Sequence, residues 1–132
     1  MDTDTVTVLI YVESRYKVNR KKIKSAVVSV LADNSVKSAV EVSIAIVGDR
    51  KMAKLNMQYR GKEGTTNVLS FPLAEGEQSK LPSDVNRLGD IVISYPMVIK
   101  EASQYEQLVD DRVDELVKHS MLNLLGLHHE QY

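Results

Sequence analysis

All three histidines of this 132-residue chain fall within 11 residues, at His119, His128 and His129. The first of them lies in LVKHSMLNLLGL, Leu116 to Leu127, a segment apolar on most sides that reads as a central buried helix. Its polar interruptions, His119 and Asn123, are four residues apart, so their side chains lie one above the other on a single helix face. Gly126 is placed to close the helix, with His128 and His129 directly after the turn. Histidines four apart on a helix, with a third ligand beyond the next turn, commonly hold a divalent metal. Here the middle position carries the amide of Asn123. The same residues also fit a plainer arrangement, a buried His119 hydrogen-bonded to Asn123 and two exposed tail histidines. Spacing alone leaves both open.

Composition removes several other chemistries. Cysteine is absent, which excludes a disulfide-linked partner, thiolate zinc sites, iron–sulfur clusters and a cysteine nucleophile. No apolar run approaches the roughly 20 residues that cross a bilayer. The start, MDTDTVTVLIYV, is acidic and lacks the basic region of a signal peptide. A soluble, cytoplasmic protein without a membrane partner is expected. The length, with 43% hydrophobic and 27% charged residues, suits one globular domain over residues 1–132.

The net charge of −1 hides an asymmetry. Residues 1–62 hold 12 Lys/Arg against 6 Asp/Glu, and residues 63–132 hold 5 against 12. Such a division can present a basic face to a polyanion while the molecule stays near neutral. Its densest part is Arg15–Lys24, with Arg15, Lys17, Arg20, Lys21, Lys22 and Lys24 and no acid between them.

The elements that must position these groups follow from periodicity. Thr5–Val12 reads as a strand with Val6, Val8, Ile10 and Val12 on one face and Leu9 and Tyr11 on the other, so both faces are expected to be covered. Arg20–Ala32 reads as a helix burying Ile23, Val27, Val30 and Leu31. Val40–Val47 is a second strand, and Asp49 looks like the N-cap of a short helix that buries Met52, Leu55 and Tyr59. Arg60–Gly64 is a turn, and Asn67–Leu73 a strand whose Pro72 argues for an edge. After the polar loop Ala74–Arg87 come a strand, Gly89–Ser94, and a helix begun by Ser94 and Pro96 and running to about Gln107. A last helix runs from about Asp110 to Leu125. The result is an α+β domain with a mixed sheet of about four strands, the first two parallel if adjacent.

Three segments together resemble the YbeY family of small metal-dependent endoribonucleases. HSMLNLLGLHH, His119–His129, is similar to the family's H-G-x-L-H-L-x-G-Y-D-H. YRGKEGTTNVLSFP, Tyr59–Pro72, is similar to Y-R-G-K-x-x-P-T-D-V-L-S-F-P, and LGDIVIS stands intact at Leu88–Ser94. The resemblance implies a zinc ion at His119, Asn123 and His129, and an essential arginine at Arg60. It also implies action on single-stranded ribosomal RNA near the small-subunit RNA 3′ end, in RNA maturation and ribosome quality control, with the small ribosomal subunit as partner. Four positions depart from the family pattern: Asn123 for the middle histidine, Ser120 for glycine, His128 for aspartate and Asn67 for aspartate.

On that resemblance, a zinc-bound water with its pKa lowered to about 7 would act as base or nucleophile, and Arg60 would face the developing phosphoryl charge. Lys62, Lys51, Lys54 and the Arg15–Lys24 stretch would line an RNA groove. The opposing expectation is a catalytically weakened RNA- or ribosome-binding homologue with an altered metal site. A zinc peptidase ranks below both, since Ser120 occupies the position of the glutamate base in H-E-x-x-H.

Overall fold

Alternating β-branched residues build the sheet, and the helices cover its two faces unequally. The computed structural model describes residues 5–13, 15–73 and 85–127. His128, His129 and most of the loop expected at Ala74–Arg87 lie outside the described residues. The strands are β1 (Val6–Val12), β2 (Val40–Val47), β3 (Val68–Pro72) and β4 (Asn86–Ser94), in the spatial order β1-β2-β4-β3. β1 and β4 run parallel to β2, and β3 pairs antiparallel with β4, giving the mixed sheet expected of an α+β domain. Pro72 ends β3 at the sheet edge, where a missing N–H costs no ladder bond.

The helices are α1 (Arg20–Asp33), α2 (Asp49–Arg60), α3 (Tyr95–Gln104) and α4 (Val109–Leu124). One sheet face packs Val6, Val42, Ile44, Ile46, Ile91 and Ile93 against α1, α4 and Val98 of α3. From α1 come Ile23, Ala26, Val27, Val30 and Leu31, and from α4 come Val113, Leu116, Val117, Met121 and Leu124. The other face carries a smaller cluster, Val47, Leu69 and Val92 under Met52, with Leu55 beside them.

Three local expectations are corrected here. β1 is covered on one face only: Leu9 and Tyr11 are 52% and 57% exposed, because α2 caps the middle of the sheet and leaves its edge open. Tyr59 is 58% exposed and the buried polar position of α2 is Asn56 instead. The N-cap of α2 is Gly48, which offers no side-chain bond, while Asp49 accepts from Ser94 Oγ at 2.7 Å and Thr65 Oγ1 at 3.0 Å. Asp49 therefore joins three segments rather than capping one. Ser94 does cap α3, accepting from the Met97 N–H at 3.3 Å. In the basic stretch, Lys22 pairs with Asp111 of α4 and Arg20 Nη1 donates to the Ile10 carbonyl at 3.1 Å, while Arg15, Lys17, Lys21 and Lys24 are exposed.

Gly89 is the point at which β4 meets both β3 and α4. Its φ is +141°, and a Cβ there would stand 2.2 Å from the Phe71 carbonyl oxygen and 3.1 Å from Leu124 Cδ2. Backbone cannot retreat as a flexible side chain can. Gly89→Ala is expected to destabilise by about 3 kcal/mol or more, through backbone strain together with loss of the β3–β4 pairing. Urea unfolding checks this, and a loss below about 1 kcal/mol would show that the strand pair adapts.

Candidate active site

A cavity of about 1130 Å³ opens between the last turn of α2, strand β3 and one face of α4. Its α4 wall is a stripe at helical spacing: Arg112, Glu115, Leu116, His119 and Asn123. The neighbouring stripe of the same helix, which shares Leu116, is the buried one, so packing α4 onto α1 and the sheet leaves His119 and Asn123 on the cavity side. His119 is exposed and Asn123 half-buried. Ser120, at the position a peptidase glutamate would need, is 1% exposed and points into the core.

Arg60 reaches the same cavity as the last residue of α2. Gly61 ends that helix in the left-handed region, φ +65°, with its N–H on the Met57 carbonyl at 3.0 Å. The turn that follows is tied at several points. Asn56 Nδ2 donates to the Gly64 carbonyl at 3.0 Å, Thr65 is held by Asp49, and the Ser94 N–H donates to the Asn67 carbonyl at 2.9 Å. Asn67 Nδ2 then donates to both carboxylate oxygens of Glu101 at 3.3 Å. Lys62 is exposed on this turn but does not line the cavity.

Tyr59 and Phe71 form an edge-to-face pair, 5.1 Å between centroids and 67° between planes, and both line the cavity. The helix period alone assigns Tyr59 to the core, and only the partner from β3 explains its place at the rim. Arg112 and Glu101 are likewise missed by motif reading. Their one sequence signal is an unlike-charge pair on neighbouring helices, which is not specific.

The family model described as Endoribonuclease YbeY matches residues 10–132. The chain belongs to the YbeY family. Curated relatives bearing the name Endoribonuclease YbeY include one from a Thermoanaerobacter species, 39% identical over 82% of this chain and 73% of that protein. Another, from Roseiflexus castenholzii, is 35% identical over 99% of this chain and 84% of its own length. A third, from Acinetobacter baylyi, is 38% identical over 84% and 70%. The fold is also that of a Thermotoga maritima protein solved in solution, with a TM-score of 0.60 at 24% identity over 96% of this chain and 77% of that one. Among the described residues no helix is long and apolar enough to cross a membrane.

Asn56 is the buried support of the Arg60 turn: it is 3% exposed, and its Oδ1 has no hydrogen-bond partner among the described residues. Asn56→Asp replaces the donor to Gly64 with a carboxylate facing a carbonyl. A loss on the order of 3 kcal/mol is expected at pH 7, since a charge is buried without a partner. Burial raises the pKa of that carboxyl above its unfolded value of about 3.9, so the deficit shrinks as pH falls and protonation restores an O–H donor. Urea unfolding of both proteins at pH 7 and pH 5 reads the difference, and a deficit that stays constant with pH refutes the account.

Proposed function

We propose that this chain is a cytoplasmic endoribonuclease of ribosomal RNA maturation and ribosome quality control, cutting single-stranded RNA near the small-subunit RNA 3′ end. The observation that supports it most is that one cavity is walled both by the Tyr59–Pro72 motif and by the His119–Asn123 stripe. RNA is a polyanion with stackable bases, and the cavity offers the Arg60 guanidinium beside the Tyr59–Phe71 pair. Arg60 is the catalytic residue in this reading: its planar fork matches two phosphoryl oxygens and stabilises the charge that grows on them as the bond breaks. The tied turn fixes the backbone from which that side chain projects, which lowers the ordering cost. Lys62, outside the cavity, contributes binding only.

By sequence position His119, Asn123 and His129 match the family's metal ligands, and a zinc ion held there would supply an activated water. The donor chemistry does not fit a three-imidazole site. Position 123 brings a neutral amide, which suits harder ions better than zinc. Asn123→His is therefore expected to raise zinc affinity by more than the roughly 10–100-fold attached to loss of an outer-shell partner. Elemental analysis of untagged protein after mild chelation checks this. Equal occupancy in both proteins would mean that another residue already completes the site.

The second reading, an RNA- or ribosome-binding homologue with weakened catalysis, is favoured by Asn123 alone. Arg60 separates the two. Arg60→Ala is expected to cut cleavage of a single-stranded ribosomal RNA fragment by about 100–1,000-fold with zinc or manganese added, while weakening RNA binding far less. Lys62→Ala is expected to affect binding alone. Equal effects of the two substitutions on cleavage would remove the catalytic role of Arg60. Absence of metal-dependent cleavage even in Asn123→His would leave the binding reading.

A further inference from the structure

Arg112 borders the same cavity as Arg60 but comes from α4. Its side chain is 18% exposed, and one edge of the guanidinium is fixed: Nε and Nη2 lie 3.0 and 2.9 Å from Glu101 Oε1. Glu101, 15% exposed, is itself gripped by Asn67 Nδ2. The Tyr105 ring centroid stands 5.2 Å from the guanidinium carbon. Among the described residues Nη1 has only a 3.5 Å contact with Glu115, whose side chain is 54% exposed and already accepts from Gln107 Nε2 at 2.8 Å. A guanidinium fixed along one edge and stacked on a ring keeps its remaining N–H groups aimed in a set direction, which suits recognition of a phosphate. Glu101 offsets the charge while the site is empty, so the half-buried cation is not left unpaired.

Arg112 and His119 are seven residues apart on α4. At 1.5 Å per residue their Cα atoms stand about 10.5 Å apart along the axis. That spacing leaves room for Arg112 to meet a backbone phosphate other than one at His119.

We propose that Arg112 is a second phosphate contact, taking a backbone phosphate of the RNA strand one or more nucleotides from the reacting bond, with Glu101 and Asn67 orienting it. The proposal rests on the RNA-cleavage reading for its substrate, but binding tests it without turnover. Asn67 thereby gains a role, since its amide can donate to Glu101, which an ionised aspartate cannot do.

The experiment is fluorescence anisotropy with a labelled single-stranded ribosomal RNA fragment, in chelator, across a salt series. Arg112→Ala is expected to weaken binding roughly tenfold at low salt, as loss of one charge-assisted bond. It should also flatten the plot of log affinity against log salt by about 0.7, the value for one phosphate of a single strand. Arg112→Lys is expected to keep the slope and lose part of the affinity. Glu101→Gln is expected to raise affinity, and that gain should vanish in the Arg112→Ala background. Where cleavage is measured, Arg112→Ala is expected to raise KM and leave kcat nearly unchanged. Unchanged affinity and slope in a folded Arg112→Ala protein overturns the proposal. A Glu101→Gln gain that persists in full without Arg112 also overturns it, because it would reflect overall charge alone. If Arg112→Ala does not fold, Arg112→Gln takes its place in the slope measurement and as the background for Glu101→Gln, with the same outcomes deciding. A parent protein that binds the RNA but never cuts it sinks the enzyme reading and leaves the Arg112 comparison standing.

Discussion

Burial of one stripe of α4 is the constraint on which the rest of the molecule depends. Val113, Leu116, Val117, Met121 and Leu124 are packed against α1 and the sheet. Each such side chain contributes about 1.5–3 kcal/mol when fully removed from water, so rotating the helix would expose most of the core. Because the helix cannot rotate, its remaining positions are aimed by default. Arg112, Glu115, His119 and Asn123 face one cavity for no reason local to themselves. Gly89 extends the constraint into the sheet, since only a residue without Cβ lets Leu124 and the Phe71 carbonyl approach β4 together.

The opposite wall is fixed by polar bonds rather than by oil. Between Gly61 and Asn67 the chain has little to bury, and it is held by Asn56, Asp49, Ser94 and Glu101. Each neutral bond contributes only about 0.5–1.5 kcal/mol net, but each fixes one point of a segment that would otherwise fluctuate. Ser94 is fully buried and serves two elements at once, capping α3 and donating to Asp49. The two walls of the cavity are thereby coupled: Asn67 directly precedes β3, Glu101 lies on α3 and Arg112 on α4, and one carboxylate joins all three.

Charge follows the same division. The basic first half of the chain contributes Arg60 to the cavity, whereas Lys22 is spent on Asp111 and Arg20 on a β1 carbonyl. The acidic second half neutralises part of α4 through Lys118–Asp114 and Arg112–Glu101. Across the sheet, Glu41 on β2 faces Arg87 on β4 at 3.2 Å. The basic segment seen in the sequence is therefore only partly available to a polyanion.

Much of the architecture was legible in the residues alone, because it is written in periods. The alternation of Val40–Val47, the i, i+4 pattern of α1 and the proline near the end of β3 each act over a few residues, and the elements lie where those patterns put them. Family membership was legible for a related reason: three short motifs in order are a one-dimensional signal. Other features depended on which surfaces meet, and that is decided by the whole chain. Leu9 and Tyr11 satisfy the pattern of a doubly covered strand, yet both are more than half exposed, with Lys51 of α2 reaching over the Tyr11 ring, because α2 packs over the centre of the sheet. Tyr59 has the phase of a core residue and stands at the cavity rim because Phe71 arrives from β3. Asp49 has the chemistry of a cap and instead binds residues 16 and 45 positions away. The network of Asn67, Glu101 and Arg112 spans separations of 34 and 11 residues. Local periodicity is dictated by the backbone and by one buried face. A contact between distant polar groups exists only after every element has packed, and so it belongs to the tertiary structure.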